Sequence, residues 1–245
     1  MRLVCVSNRL PVVIARDSGG RWRGRSGAGG LVTALGAALR RRGGLWMGWA
    51  GVDVDGEEDI DLDGVLREHA RDAGYQLASV PLTAEDREGF YQGFSNEIIW
   101  PLFHDMQERC NFEPGYWRSY VQVNDKFAEA VRGEGRPDDP GRGHDYHLML
   151  VADRLRRRGV TSRLGFFLHI PFPPPDIFSK LTWRVEVLRG LLQFDVVGLQ
   201  TPRDVENFTQ CVRVLCPEAN VRRRRGETQV TLDDRTALVA AFLIS

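Results

Sequence analysis

The stretch RLGFFLHIPFPPPDIF, residues 163–178, decides the fold. Arg163 to Ile170 is a nearly continuous apolar run that reads as a buried strand. The proline cluster Pro171 to Pro175 follows it and fixes the backbone just beyond. Outward from there the periods alternate. Ile177 to Leu192 reads as a helix, Val196 to Leu199 as a strand and Pro202 to Leu215 as a helix. Upstream, Leu148 to Arg158 reads as a helix with a basic end, stopped by Gly159. Strands alternating with helices in this way predict an α/β domain with a mainly parallel sheet flanked by helices. Such sheets bind ligands at the carboxyl ends of their strands.

The amino-terminal half continues the pattern. Leu3 to Val6 is a short β-branched run ending at Ser7-Asn8-Arg9, a strand feeding a loop. Residues 15 to 30, rich in Gly, Arg and Ser, read as a loop. Leu31 to Leu39 reads as a helix closed by Gly43-Gly44, and Leu45 to Ala50 as a strand. Asp53 to Asp63 is acidic, Ile60 to Ala73 has partial helical spacing and Leu77 to Val80 reads as a strand. Thr83 to Asp86 carries a capping box that opens a helix. Glu113 to Ala130 reads as a helix interrupted by Pro114. At the other end, Val221 to Thr231 reads as a basic hairpin, with Arg222 to Arg225 a solvated turn, and Leu238 to Ile244 as a last strand.

Composition narrows the class. The 245 residues are 42% hydrophobic and 27% charged, an ordinary globular balance. The net charge of +0 argues against a nucleic-acid or membrane binder working through a positive field. The four cysteines, Cys5, Cys110, Cys211 and Cys216, form no CxxC pair, and Cys5 reads as a buried thiol. The start MRLVCVSNRL has no signal-peptide pattern and no run is long enough to span a bilayer, so a reducing cytoplasm is the expected compartment.

Several polar residues fall where an open sheet would place a ligand. Arg9, directly after the first strand, suits either a phosphate oxygen fork or a neighbouring carboxylate. Ser26-Gly-Ala-Gly29-Gly30 opens a helix, where free N–H groups favour an anion, although the spacing is not GxGxxG. Residues 90–104 combine aromatics, including Tyr91 and Trp100, with hydrogen-bonding groups, as sugar sites and aromatic cores both do. His144 and His147 flank Asp145 without a third ligand at sensible spacing, which reads as a hydrogen-bonding loop rather than a metal site. Asp145 is then a candidate acceptor of a hydroxyl proton. His169 ends a wholly apolar strand.

Taken together, VSNRLPV (6–12), GAGGLVTAL (27–35), GGLWMGW (43–49), YQGFSNEIIWPLFH (91–104), WRSYVQVNDKFA (117–128), HDYHLML (144–150), RLGFFLHIPFPPPDIF (163–178) and GLLQFDVVGLQT (190–201) resemble the trehalose-6-phosphate synthase family of retaining glycosyltransferases, in the family's order. The resemblance implies a Rossmann-like domain over residues 1–245, the amino-terminal acceptor-binding half of a two-domain, B-type enzyme whose carboxy-terminal nucleotide-sugar domain is not in this sequence. It implies transfer of glucose from UDP-glucose, or another nucleotide-glucose, to glucose-6-phosphate, with no metal or organic cofactor, no nucleic acid and no membrane; a homo-oligomer is compatible with it. By position, Arg9 would grip the acceptor phosphate and Tyr91 and Trp100 line the acceptor pocket. Gly29 and Gly30 would approach the donor diphosphate, Asp145 the acceptor sugar and His169 the donor glucose. Relatives making glucosylglycerol phosphate or pseudo-disaccharides share these motifs, and a non-catalytic sugar-phosphate-binding or interaction module is the alternative of a different class.

The sequence departs from the family at three places. Leu243 stands where the family usually has proline, and Pro174 where it often has glutamine or serine. Residues 136–143, RPDDPGRG, replace a tryptophan-bearing strand and are expected not to form a central strand, being rich in proline and glycine. The whole reading requires Arg9, Asp145 and His169 to meet at one rim of one sheet.

Overall fold

The computed structural model describes residues 2–27, 30–56, 60–136, 138–224 and 227–242. Leu243, like Gly29 and Arg225, lies outside them. Strands β1 (Val4–Arg9), β4 (Leu45–Trp49), β5 (Gln76–Ser79), β6 (Gly141–His144), β7 (Leu164–Phe167), β8 (Val196–Leu199), β9 (Asn220–Arg224), β10 (Glu227–Leu232) and β11 (Arg235–Ala241) form one sheet. Their order is β5-β4-β1-β6-β7-β8-β11-β10-β9. Every pairing from β5 to β11 is parallel; β10 and β9 are added antiparallel.

Residues 15–30, expected as a loop, instead contribute to a hairpin of β2 (Val12–Arg16) and β3 (Trp22–Ser26). The Asp17 carboxylate holds its turn by accepting from the N–H groups of Gly19 and Arg21, and the Arg16 guanidinium lies over the Trp22 ring. Arginine and glycine hid the strand pattern, because Trp22-Arg23-Gly24-Arg25-Ser26 carries no apolar alternation.

The helices are α1 (Gly30–Arg42), α2 (Leu62–Ala73), the single turns α3 (Ala84–Asp86) and α4 (Trp100–Phe103), α5 (Pro114–Glu134), α6 (Val151–Arg157), α7 (Pro175–Phe178), α8 (Arg184–Leu191) and α9 (Pro202–Leu215). The expected capping box at Thr83 and Asp86 forms, and the chain from Arg87 to Ile99 is wound as a wide π-helix between α3 and α4. Pro114 does not interrupt α5. It sits in the first turn, where its missing N–H has no partner to lose. The helix expected over Ile177 to Leu192 splits into α7 and α8 at a turn over residues 179–183, whose last residue, Trp183, stacks on Trp117 at 5.3 Å between ring centroids. The last strand begins at Arg235, three residues earlier than expected.

Alternation along β1 serves two cores. Val4 and Val6 belong to a large one that includes residues of α5, α6, α8 and α9; Cys5 belongs to a smaller one with Leu35, Leu39 and Trp46. The expected loss of the central strand before His144 does not occur. Gly141 to His144 pairs with β1 on one side and β7 on the other. A parallel strand needs backbone groups, not side chains, and the neighbours occupy the space: a Cβ on Gly141 would stand 2.8 Å from Leu164, and one on Gly143 3.5 Å from Phe194. No helix is long and apolar enough to cross a membrane among the described residues.

Strand β1 carries a bulge. Val6 faces Met47 and Arg9 faces Trp49, three residues against two. Ser7 Oγ closes it by donating to the Arg9 carbonyl, 2.7 Å, while accepting from Trp46 Nε1, 2.7 Å. Gly48 permits the approach: a Cβ there would meet the Ser7 carbonyl oxygen at 2.7 Å and the Leu10 nitrogen at 2.9 Å. Gly48→Ala is therefore expected to cost about 1–3 kcal/mol through backbone overpacking, read as a lower urea midpoint at unchanged slope.

Candidate functional site

Strand order reverses between β1 and β6: from β1 the chain moves outward to β4 and then β5, and from β6 outward the other way to β7 and β8. A crevice opens at the carboxyl ends of strands at such a switch point. Here it is a cleft of 690 Å³ whose walls include Arg9, Tyr91 and Asp145. Gly27 and Val32 bring the start of α1 to the same cleft. A smaller cavity of 220 Å³ lies where β1, β6 and β7 begin, at the opposite edge of the sheet; its Asp139 carboxylate is already held by the backbone and side chain of Arg2.

The bulge in β1 aims Arg9. Its guanidinium carbon sits 4.9 Å from the Trp49 ring centroid. Gly51, at φ +87°, leaves room for it, since a Cβ there would collide with the guanidinium. By its place after a strand, Arg9 suits either a phosphate or a carboxylate partner. Among the described residues no carboxylate pairs with it, and its side chain is exposed at the cleft wall.

Asp145 follows β6 directly, at φ +72° and ψ 167°. That conformation is almost confined to glycine and costs on the order of 1–3 kcal/mol. Its surroundings hold it there. Asp145 N–H donates to Phe167 O, and its Oδ1 accepts from the backbone N–H groups of Tyr146 (3.0 Å) and His169 (3.2 Å). Beyond it, Tyr120 Oη of α5 donates to Tyr146 O (2.7 Å) and accepts from Met149 N–H (3.1 Å). Asn124 donates to His147 O (3.0 Å) and accepts from Leu150 N–H (3.2 Å).

The expected helix from Leu148 begins only at Val151, because this clamp winds Tyr146 to Leu148 more tightly. Burial raises the Asp145 carboxyl from 3.8 to about 6, against the pull of the Tyr146 and His169 N–H donors and of His104.

His169 lies two residues past β7 rather than within the strand, because β7 ends at Phe167. It is not among the residues of the cleft wall but is joined to Asp145 through its backbone N–H. Its Nε2 is 3.1 Å from Nδ1 of His144, a fully buried ring. Burial, then the Arg142 charge, holds His169 down at about 4; burial, then Arg142 and His169, holds His144 down at about 3. His147 is held at about 3 by burial and stacks on Tyr91, 5.6 Å between centroids and 17° between planes.

Trp100 is 37% exposed and outside the cleft lining. Its ring packs on His104, the imidazole whose charge acts on Asp145. Gly30 begins α1 beside the cleft residues Gly27 and Val32; Gly29 is outside the described residues. Arg9, Tyr91 and Asp145 thus share one concavity, His169 is joined to it through Asp145 and Trp100 connects through His104. Sequence analysis assigns no separate role to Asn8, Trp46 or Tyr146, which also line the cleft. Position at a strand end was the available signal for Asn8; for Trp46, within a strand, none was.

Asp145→Asn keeps acceptors for the Tyr146 and His169 N–H groups but removes the charge. The folded chain holds a proton on Asp145 between about pH 4 and 6 that the unfolded chain has released, so stability falls as pH rises through that window. The variant is expected to exceed the parent by about 3 kcal/mol at pH 7.5, the gain vanishing near pH 4. Urea denaturation across pH measures it; a difference independent of pH would mean that Asp145 titrates as an ordinary carboxyl.

Comparison with known proteins supplies the context of this cleft. The family model described as glycosyltransferase family 20 matches residues 1–245. A trehalose-6-phosphate synthase of Mycolicibacterium smegmatis is 42% identical over 248 aligned residues, covering 99% of this chain and 47% of that protein. Among solved structures, an α,α-trehalose-phosphate synthase (UDP-forming) from Burkholderia xenovorans in complex with glucose-6-phosphate superposes with a TM-score of 0.80 at 29% identity, covering 99% of this chain and 49% of the other. A structure described as trehalose-6-phosphate from E. coli bound with UDP-2-fluoro glucose gives 0.80 at 32% identity, covering 98% and 48%. The chain spans about half the length of the relatives it matches. Its sheet and helices are those of one half of a B-type glycosyltransferase, and the chain belongs to glycosyltransferase family 20.

Proposed function

We propose that this chain is the amino-terminal, acceptor-binding part of an enzyme that transfers glucose from UDP-glucose to glucose-6-phosphate, yielding trehalose-6-phosphate and UDP. The observation that carries the reading is the cleft in which an exposed guanidinium with no carboxylate partner among the described residues, an aromatic face and a partly buried carboxyl stand together. The relatives whose descriptions mention glucose-6-phosphate and a UDP-sugar analogue support it.

In this reading Arg9 binds the acceptor's 6-phosphate through paired charge-assisted hydrogen bonds. Tyr91, backed by the His147 ring, offers a flat face to the sugar, and Trp100 closes the acceptor side. Asp145, ionised above about pH 6, accepts a hydrogen bond from an acceptor hydroxyl and orients it. The backbone N–H of Gly30 meets the donor diphosphate at the positive end of α1. His169 lies against the donor glucose. The bond from the anomeric carbon to the UDP phosphate oxygen breaks while the bond to the acceptor oxygen forms on the same face, and the acceptor proton passes to the leaving phosphate. Stabilising the charge on that phosphate is the protein's main contribution.

Titration calorimetry tests the acceptor half. Glucose-6-phosphate is expected to bind the chain, glucose far more weakly, and Arg9→Ala to weaken glucose-6-phosphate about 10–100-fold. Equal affinity of parent and variant for the phosphorylated sugar would remove Arg9 from the site.

A further inference from the structure

The contact between His144 and His169 has a direction that the surrounding burial decides. Their rings lie 5.4 Å apart between centroids, and Nδ1 of one faces Nε2 of the other at 3.1 Å. In a hydrogen bond between two neutral imidazoles, one nitrogen carries the hydrogen and the other the lone pair. Both rings are neutral near pH 7, held so by burial and by Arg142.

Two arrangements satisfy the contact. In one, His169 donates from Nε2 to His144 Nδ1. Then the hydrogen of His144 must sit on its own Nε2, which is buried and has no hydrogen-bond partner, in a ring only 1% exposed. In the other, His144 donates from Nδ1, and its Nε2 is a bare lone pair in the same enclosure. A buried N–H without an acceptor is the rarer and costlier orphan.

We propose that His144 is a positioning residue for His169: it donates from Nδ1 to His169 Nε2, and so fixes His169 as the Nδ1–H tautomer with that N–H as its one ring donor. The inference deepens the proposed function and rests on it only in the use made of that donor, a hydrogen bond to a sugar hydroxyl. The partner of the far nitrogen sets the tautomer of an imidazole, and thereby which edge of the ring meets a ligand as donor. The backbone N–H of His169 is held on Asp145 Oδ1, so backbone and ring are both fixed before any sugar arrives.

The test is a long-range 1H–15N correlation spectrum of the whole chain carrying 15N-histidine, without ligand, at about pH 7.5, well above both imidazole values. His169 is expected to show a protonated-nitrogen shift at Nδ1 and an unprotonated one at Nε2, and His144 a protonated Nδ1. His144→Phe keeps a ring but removes the donor; His169 is expected to relax toward the Nε2–H form, its two nitrogen shifts moving toward each other or exchanging. His144→Asn, whose amide nitrogen stands near the place of Nδ1, is expected to restore the parent pattern. A proton on His169 Nε2 in the parent overturns the proposal, as does an unchanged His169 pattern in a folded His144→Phe. Should His144→Phe not fold, the parent spectrum alone decides. None of these readings needs a substrate, so failure to bind glucose-6-phosphate would count against the proposed function and leave the tautomer assignment standing.

Discussion

The turn that follows Asp145 is held from α5 by hydrogen bonds. Residues 146–150 leave the sheet before a helix has begun, so their carbonyl and N–H groups lack regular partners, and buried backbone groups must be paired. Tyr120 and Asn124, both fully buried, take four of them. Together with the Phe167 carbonyl and the Tyr146 and His169 N–H groups, that clamp keeps Asp145 in a glycine-like conformation. Strain at a residue over-determined by its neighbours is the pattern of functional sites, and here the strained residue is the carboxyl that faces the cleft.

The same turn links the two walls of the site. Tyr146 Oη meets Asn96 on the wide helical segment that also presents Tyr91, and the His147 ring lies between Tyr91 and Phe90. Asp145 in turn holds the backbone of His169. One short segment thereby sets the positions of an aromatic face, a carboxyl and an imidazole. The Arg9 side depends on a separate device, the bulge in β1, closed by Ser7 and permitted by Gly48. The two devices stand on adjacent strands, which is why the cleft exists at the reversal of strand order.

Charge in the site is arranged by exposure. Asp145, His144, His147 and His169 are all pushed toward their neutral forms by burial. Arg9 alone among the candidate side chains keeps a permanent charge in contact with solvent. Among the described residues, a cleft with an exposed guanidinium, neutral imidazoles and a carboxyl that ionises only above about pH 6 suits the ligand proposed above, with one anionic end and a hydroxylated body.

The sequence by itself carried, in its local periods, the α/β class and the order of most elements, through apolar runs and the capping box at Thr83, and its polar residues directly after strands pointed to Arg9 and Asp145; it gave no sign of Trp46 or Tyr146 in the cleft wall. It misread RPDDPGRG, since composition reports side chains while a central parallel strand needs only backbone pairing, here with Leu164 and Phe194 filling the space above the glycines. It missed the hairpin of β2 and β3 because Trp22 to Ser26 carries no apolar alternation. Only the tertiary structure decided that Arg9 has no carboxylate partner among the described residues, that Asp145 is strained and clamped from α5, and that His144 faces His169. The last two depend on groups 23 or more residues apart in the chain, a separation at which local sequence pattern carries no information about contact.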